Sequence, residues 1–385
     1  MAIDKNIKKK LPGIVEATAS YEKWLGGHLA IIHSDLALKH EFMAAALFPF
    51  FRATFYRWAQ LWHVVCEDLA KAPHVLAVGD LHVENFGTWR DIEGRLIWGI
   101  NDFDEAWPAA YTVDLVRLAT SAYLAIDAEH LSLTRRHASA AIEDGYRDAM
   151  KIGGAPFVLA EQHRWLRMVA LNELRDPIHF WNKIEALPGC KGLPPKNVLK
   201  LLYSSLPQQK PTYKTKRRVA GLGSLGHPRI LVLASWHGSH VVREAKELRP
   251  SAWVWAAGKD SNQILSEKLI AESLRVADPH VHFLGTWEVR RLAPDCSRIE
   301  LDTLPREHDE EKLLYSMGWE TANVHLGSAA AISHVKRDLA GRHGKWLHRA
   351  AKNMCKVTLE DWKDWRHGRK PEDKKVRQLA KSRSS

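Results

Sequence analysis

The sequence predicts an α+β fold with strands segregated from helices, and three observations carry that reading. Apolar residues recur at helical spacing over residues 14–72 and 113–205, and again from Glu310 onward. Strand-like runs cluster in two places, one between Val75 and Ile100 and one between Tyr213 and Leu292. The elements come in blocks (helices, a hairpin, helices, a small sheet with a helix, helices), where a parallel βαβ architecture would alternate them.

Each element has its own signal. Leu25, Leu29, Ile32 and Leu36 form one helical stripe, and Phe55, Trp58, Leu61 and Trp62 another. Val75–Val78 reads as a short apolar strand ending at Gly79-Asp80, and Arg95–Ile100 as a second ending at Asn101-Asp102. The turn-like Asp91–Gly94 between them predicts that these two strands form a hairpin. Val116, Leu118, Ala119 and Ala122 suit one buried helical face, and Pro188-Gly189 and Pro194-Pro195 punctuate the helices that follow. Strands are expected at Arg229–Ala234, His240–Ala245 and Thr286–Leu292, a helix at Asn262–Ala277, and no repeat of fixed period is present.

Composition narrows the classes. The 385 residues are 45% hydrophobic and 26% charged, a globular balance that excludes wholesale disorder, collagen and coiled coil. No apolar stretch reaches the roughly 18 residues of a spanning helix. The first residues run into Lys8, Lys9 and Lys10 without an apolar signal core. The expectation is no membrane insertion, no secretion and a cytoplasmic location. Cys66, Cys190, Cys296 and Cys355 form no Cys-x-x-Cys pair, so neither a zinc ribbon nor a redox motif is expected. Of the net charge of +11, residues from Ile332 to Ser385 carry 16 basic and 6 acidic side chains, a net of +10. The expectation there is a solvated helix with a frayed end; contact with nucleic acid or an anionic surface is the rival reading. That rival predicts salt-dependent retention lost on deleting residues after about 340.

Two strand ends carry polar groups suited to chemistry. Gly79-Asp80-Leu81-His82-Val83-Glu84-Asn85 delivers an acid and, five residues later, an amide; Asn101-Asp102-Phe103-Asp104-Glu105 delivers further acids. One carboxylate that orients a hydroxyl, with a second carboxylate and an amide on magnesium, is the set that phosphoryl transfer needs. Gly221-Leu222-Gly223-Ser224-Leu225-Gly226 leads into a strand rather than a helix, which suits a turn folded over phosphates better than a dinucleotide fingerprint. Lys246, at the end of a later strand-like run, could reach those phosphates. The bland alternatives are turns capped by Asp and Asn, a glycine-rich hairpin and a surface lysine.

These residues carry a resemblance. Asp80 with Asn85 resembles the Asp-x4-Asn catalytic loop of protein-kinase-like folds, and Gly-Asp-Leu-His-x-x-Asn is similar to the aminoglycoside phosphotransferase and choline kinase branch. Asp102-Phe103-Asp104 resembles their magnesium-binding element, Asp114-Leu115 the structural pair after it, and Gly221–Gly226 with Lys246 the nucleotide-covering loop and its lysine. The order is permuted, since the glycine loop follows the catalytic loop and Met317–His325 resembles the helix that normally leads into it. The pattern as a whole resembles the uncharacterised bacterial domain-of-unknown-function (DUF) 2252 family. It does so through Phe48-x-Phe50-Phe51-Arg52, Gly79–Gly87, Asn101–Glu105, Asp114-Leu115-x-Arg117-Leu118, Val219–Gly226, Lys246-Glu247, Phe283–Gly285 and Val289-Arg290.

What the resemblance implies is a two-lobed, circularly permuted kinase-like fold that takes ATP and Mg2+. Asp80 would be catalytic. Asn85, Asp102 and Asp104 would hold metal, and Gly221, Gly223, Ser224, Gly226 and Lys246 would hold the nucleotide, with Glu267 or Glu272 as the acid that pairs with Lys246. His82, Arg52 and Asp114 are expected to support the loop, Arg52 by a salt bridge to an acid of the hairpin. Asp104 and Glu105 are read either as ligands of a second magnesium or as solvated acids. The expected division is a helical lobe over 1–205, a β-rich nucleotide-covering lobe over 206–300, a completing helix over 301–340 and a basic tail over 341–385. The acceptor, a small molecule or a protein, is not named by these residues. Nucleotidyl transfer on the same fold and a non-catalytic nucleotide-binding module are the alternatives to phosphotransfer.

Overall fold

The computed structural model describes residues 11–159, 163–170, 176–190, 194–207, 212–296, 309–372 and 374–384. The expected boundary at 300/301, the lysines at 8–10 and Ser385 lie outside them. The chain opens with helices α1 (Ile14–Leu25), α2 (His33–Ala45), α3 (Leu47–Ala53), α4 (Phe55–Val65) and α5 (Glu67–Ala70). The strands β1 (His74–Ala77), β2 (Phe86–Arg90), β3 (Leu96–Ile100) and β4 (Trp107–Ala110) follow, then α6 (Thr112–Asp127), α7 (Arg135–Ile152) and β5 (Phe157–Val158). Helices α8 (Arg164–Ala170), α9 (Pro177–Glu185) and α10 (Lys196–Ser204) lead to β6 (Tyr213–Arg217), β7 (Arg229–Trp236) and β8 (Ser239–Glu247). After α11 (Ala252–Ala256), α12 (Ser266–Glu272), β9 (His282–Leu284) and β10 (Trp287–Leu292), the chain ends in α13 (Glu310–His325), α14 (Ile332–Gly341), α15 (Trp346–Gly368) and α16 (Lys374–Ser384). The fold is α+β.

Three expectations change at this level. The stripe Leu25–Leu36 is broken, because Gly26 and Gly27 end α1 and leave Leu29 and Ile32 in the connection to α2. The strand over Val75 does not pair with the strand over Ile97. β1 pairs β4, with His74 opposite Ala110, and the hairpin is β2 with β3, with Phe86 opposite Ile100. The turn itself is as expected: the Asp91 carboxylate accepts from the N–H groups of Glu93 and Arg95 at 3.0 and 2.8 Å, and Gly94 takes φ +74°. The helix expected over 262–277 shortens to α12, seven residues, whose first residue, Ser266, donates its hydroxyl to the Phe103 carbonyl.

The larger sheet is antiparallel in the order β6-β7-β8-β10-β9. Its central strands are buried on both sides. Ile230, Val232 and Ala245 pack with Val198 and Leu202 of α10, and Leu231, Leu233 and Val242 with Ile184 of α9. These two helices therefore belong to the sheet's layer, ahead of the boundary expected at 206. The main apolar core lies among α1–α7, the hairpin and α13–α15. In it α13 lies against α7 so closely that a Cβ on Gly318 would meet the Ile142 carbonyl, and one on Gly145 the Tyr315 carbonyl.

The basic C-terminal stretch is not a solvated helix. Helix α15 buries Leu347, Ala351, Met354 and Val357 in the main core, and its Asp361 pairs with buried Arg57 at 2.8 Å. Deleting residues after about 340 would remove a core helix, so charge reversal on α16 is the cleaner test of nucleic-acid binding. A cavity of about 610 Å³ between α2, α15 and α16 is lined by Arg366, Arg369, Arg377 and Lys381, with Arg369 paired to Glu41 at 2.6 Å. No helix among the described residues is long and apolar enough to cross a membrane.

Candidate functional site

Asp80 stands in the loop after β1, and that loop is fixed from behind. The Asp114 carboxylate in the first turn of α6 accepts from the backbone N–H groups of Val78 and Gly79 at 2.7 and 2.8 Å. His325 of α13 bonds the same carboxylate through Nε2 at 2.9 Å, and its Nδ1 meets the Tyr146 hydroxyl at 2.9 Å. Gly79 adopts φ +85°, and a Cβ there would strike the Glu105 backbone. Asp114 thus holds the loop, the role expected of it.

The Asp80 carboxylate accepts from Arg117 Nε at 2.7 Å. Arg117 is fully buried, lies 3.9 Å from the Phe51 ring centroid and donates to the Phe51 carbonyl. Burial pushes the Asp80 carboxyl up to about 7, and the Arg117 guanidinium offsets only part of that rise. His82 steadies the loop through its Nδ1, which accepts from the Glu84 N–H at 3.2 Å. Arg52 forms an ion pair with Glu84, the pairing with a hairpin acid expected for it. Asn85 donates through Nδ2 to the Asp80 carbonyl at 2.6 Å, and its own carbonyl accepts from the Asn101 N–H at 3.0 Å. This brings Asn85 and Asp102 to the same open end of the β2–β3 hairpin.

The larger sheet meets that end through Lys246 of β8. Its ammonium bonds Asp104, lies 3.1 Å from Glu288 and lies 3.6 Å from Asp102. Glu288 is directly opposite Lys246 in the β10–β8 register. Here the expected pairing is corrected: Glu267 and Glu272 are exposed on α12, and Glu272 faces Lys268 at 3.8 Å. Burial raises the Asp104 carboxyl, but the adjacent ammonium outweighs it and holds the group below the ordinary range. Asp104 is thus taken by Lys246 rather than standing open to a metal. Glu105 is neither a ligand nor solvated. It is buried against Arg249 and accepts from the Ser251 hydroxyl and the Ala252 N–H at 2.8 and 2.7 Å.

The glycine loop joins β6 to β7 and closes over the Asp80 loop. Gly221 and Gly226 take φ +76° and +100°, which side chains resist. A Cβ on Gly223 would lie 3.6 Å from Asp80 Oδ2 and 3.3 Å from the Arg52 carbonyl. The Ser224 hydroxyl accepts from Arg229 at 2.6 Å, and Arg229 reaches Glu244 at 3.0 Å. Glu244 is fully buried and also meets Arg218 at 2.6 Å and Arg290 at 3.4 Å. Burial opposes its charge, yet these guanidiniums hold its carboxyl far below the ordinary range.

Glu244→Gln is expected to cost about 3–5 kcal/mol at neutral pH, because it leaves three guanidiniums facing a neutral group. The sign follows from the depressed folded-state pKa: the stabilisation is present above the unfolded carboxyl range and fades as pH falls through the folded value. Urea titrations of both proteins at pH 7 and pH 4 check this, since the gap should narrow at pH 4.

The structure thus brings together Asp80, Asn85, Asp102, Asp104, Lys246 and the glycine loop, and leaves Glu267 and Glu272 apart. Among the described residues no group of three or more His, Cys, Asp or Glu is arranged to hold a metal. Magnesium asks for less, usually one or two carboxylates with water and phosphate oxygens. Asp102, whose side chain is 41% exposed, and Asn85 Oδ1, left over from the Nδ2 bond, supply oxygen donors of that kind.

Sequence reasoning missed Glu288, Glu244 and Lys39. The first two had a signal, because Glu244-x-Lys246 and Glu288-x-Arg290 are complementary alternations on strand-like runs. Lys39 had none. No curated protein and no solved structure matches the chain. The match to a family covers the hairpin and its flanking helices but not the glycine loop or Lys246: residues 32–174 match the model of the family described as uncharacterized protein conserved in bacteria (DUF2252).

Proposed function

We propose that this protein is an ATP- and magnesium-dependent phosphotransferase on a circularly permuted, two-lobed kinase-like fold, acting on a hydroxyl acceptor. The observation that carries the reading is the meeting of Lys246 with Asp102 and Asp104 beneath a glycine loop whose Gly223 rests on Asp80. A cation for phosphates, oxygens for a metal and a carboxylate for a hydroxyl thus converge from the ends of three separate sheets.

In this reading Asn85 and Asp102 hold magnesium, which supplies counter-charge to the phosphates. Lys246 turns from Asp104 toward the phosphates, and the glycine loop lifts from Asp80 to admit them. Asp80 Oδ2, the oxygen turned toward Gly223, orients the acceptor hydroxyl and takes its proton. Arg117 fixes the other oxygen, so the carboxylate need not reorganise during reaction. Positioning and charge do most of the work, as phosphoryl transfer asks.

Calorimetric titration with ATP, with and without Mg2+, tests this on wild type and Asp102→Ala. The expected result is magnesium-dependent binding that weakens at least about tenfold in the variant, the loss of one charge-assisted metal contact. No binding by folded wild type would sink the reading. With an acceptor in hand, product mass separates phosphate from AMP transfer.

A further inference from the structure

Lys39 of α2 is an unusual cation among the described residues. The residue is 4% exposed. Its ammonium has one hydrogen bond among the described residues, to the Gly223 carbonyl at 2.9 Å, and forms no ion pair with a carboxylate there. An ammonium carries three donors, and a buried charge without a counter-ion is costly. Lys246, Arg117, Arg249 and Arg229 are buried to a similar depth, and each meets a carboxylate. Arg243, buried without one, spends its guanidinium on the Ser205 and Val242 carbonyls and on His280. Among these buried cations Lys39 is the one with a single hydrogen-bond partner and no carboxylate beside it among the described residues. Burial lowers its ammonium to about 8, which still leaves it mostly charged at neutral pH.

Its position gives the unspent charge a use. Gly223 touches both groups: its carbonyl accepts from Lys39 Nζ, and a Cβ on it would lie 3.6 Å from Asp80 Oδ2. The loop that carries it is held beside α2 by the Ile32 N–H, just ahead of that helix, on the Gly226 carbonyl at 2.9 Å, and β6 before it by the pair Arg217–Asp35. Positive φ at Gly221 and Gly226 puts conformational freedom on both sides of Gly223. When this segment lifts, the space opened beside Asp80 is bordered by an ammonium that has just lost its carbonyl partner.

Resting on the phosphotransferase reading, we propose that Lys39 is a second phosphate-binding cation, which takes the terminal phosphoryl group of the nucleotide in place of the Gly223 carbonyl. Lys246 approaches the site from the sheet and Lys39 from the helical side, so the two cations flank the group that is transferred. Phosphate fits this place better than a neutral ligand, because it supplies the missing counter-charge and accepts all three N–H donors.

The test compares ATP with ADP, each with Mg2+, by calorimetry on wild type, Lys39→Met and Lys39→Arg. Methionine keeps the length of the side chain and removes the charge, and losing an uncompensated buried ammonium should leave the melting temperature unchanged or raised. Lys39→Met is expected to weaken ATP at least about tenfold and ADP by no more than about twofold, with the ATP preference restored in Lys39→Arg. ATP binding unchanged in Lys39→Met overturns the proposal. So does equal weakening of ATP and ADP, which would make Lys39 only a latch for the loop. Should Lys39→Met fail to fold, Lys39→Arg decides: loss of the ATP preference in that folded, charged variant refutes the assignment, and its retention supports it. Wild type binding neither nucleotide removes the parent reading and this one with it, a result distinct from the other two.

Discussion

Asp80→Asn is expected to lower turnover by about a thousandfold, within the usual range for a general base, while Mg-ATP binding changes by no more than about twofold. The substitution keeps the shape of the side chain and an oxygen for Arg117 Nε. It removes the proposed proton acceptor. Slow ATP hydrolysis, with water as the acceptor, gives a readout before the true acceptor is known. Normal hydrolysis by Asp80→Asn would show that another group does this work. The pH profile is a second check. Burial pushes the Asp80 carboxyl up to about 7, and a base must be ionised, so turnover should rise between pH 6 and pH 8 with its midpoint near 7. An acid in the same role would show the opposite slope.

The residues that fix Asp80 show which parts of the site were legible and which were not. Gly79-Asp80 and Asn101-Asp102 were found because polar residues closing an apolar run stand out locally. The pairing of the strands was not local. β4 contains Pro108, which reads against a strand, yet it sits opposite Leu76 in a two-stranded ladder where the missing N–H costs little. β2 begins Phe86-Gly87, and a glycine weakens a strand signal. Here glycine has a use at the opposite position, Gly99, where a Cβ would meet the Glu320 carboxylate. Such reasons lie in a helix more than two hundred residues away in sequence.

Long-range charge pairing was the other hidden layer. The glycine turn between two strands was readable, because no helix signal follows Gly226. The acids facing Lys246 were expected on a helix, the arrangement that the family resemblance suggested. They lie instead on the hairpin and on the neighbouring strand, as Asp104 and Glu288. The basic tail misled in a similar way. Its net charge describes the solvent side of α15, while Leu347, Met354 and Val357 on the other side go into the core.

Gly318→Ala is expected to destabilise the protein by about 3 kcal/mol or more, the upper end of what overpacking costs, although alanine is the better helix former. The two effects have opposite signs, and their sizes decide between them. Within a helix, alanine is favoured over glycine by about 1 kcal/mol. Against that, the new Cβ would meet the Ile142 carbonyl oxygen, with the carbonyl carbon at 2.9 Å, and both atoms are backbone inside α7. Backbone in a packed helix cannot turn away as a side-chain tip can, so α13 and α7 must move apart. Separation would reach the site, because α13 carries Glu320, whose carboxylate accepts from the Ile100 N–H, and His325, which holds Asp114. Gly341→Ala, at the end of α14 with nothing within 4 Å of the added carbon, is the control and should be neutral or slightly stabilising. Thermal and urea unfolding of the two variants side by side measure the contrast. If Gly318→Ala were as stable as Gly341→Ala, α7 and α13 would not be in backbone contact, and the support drawn here behind Asp80 would lose its foundation.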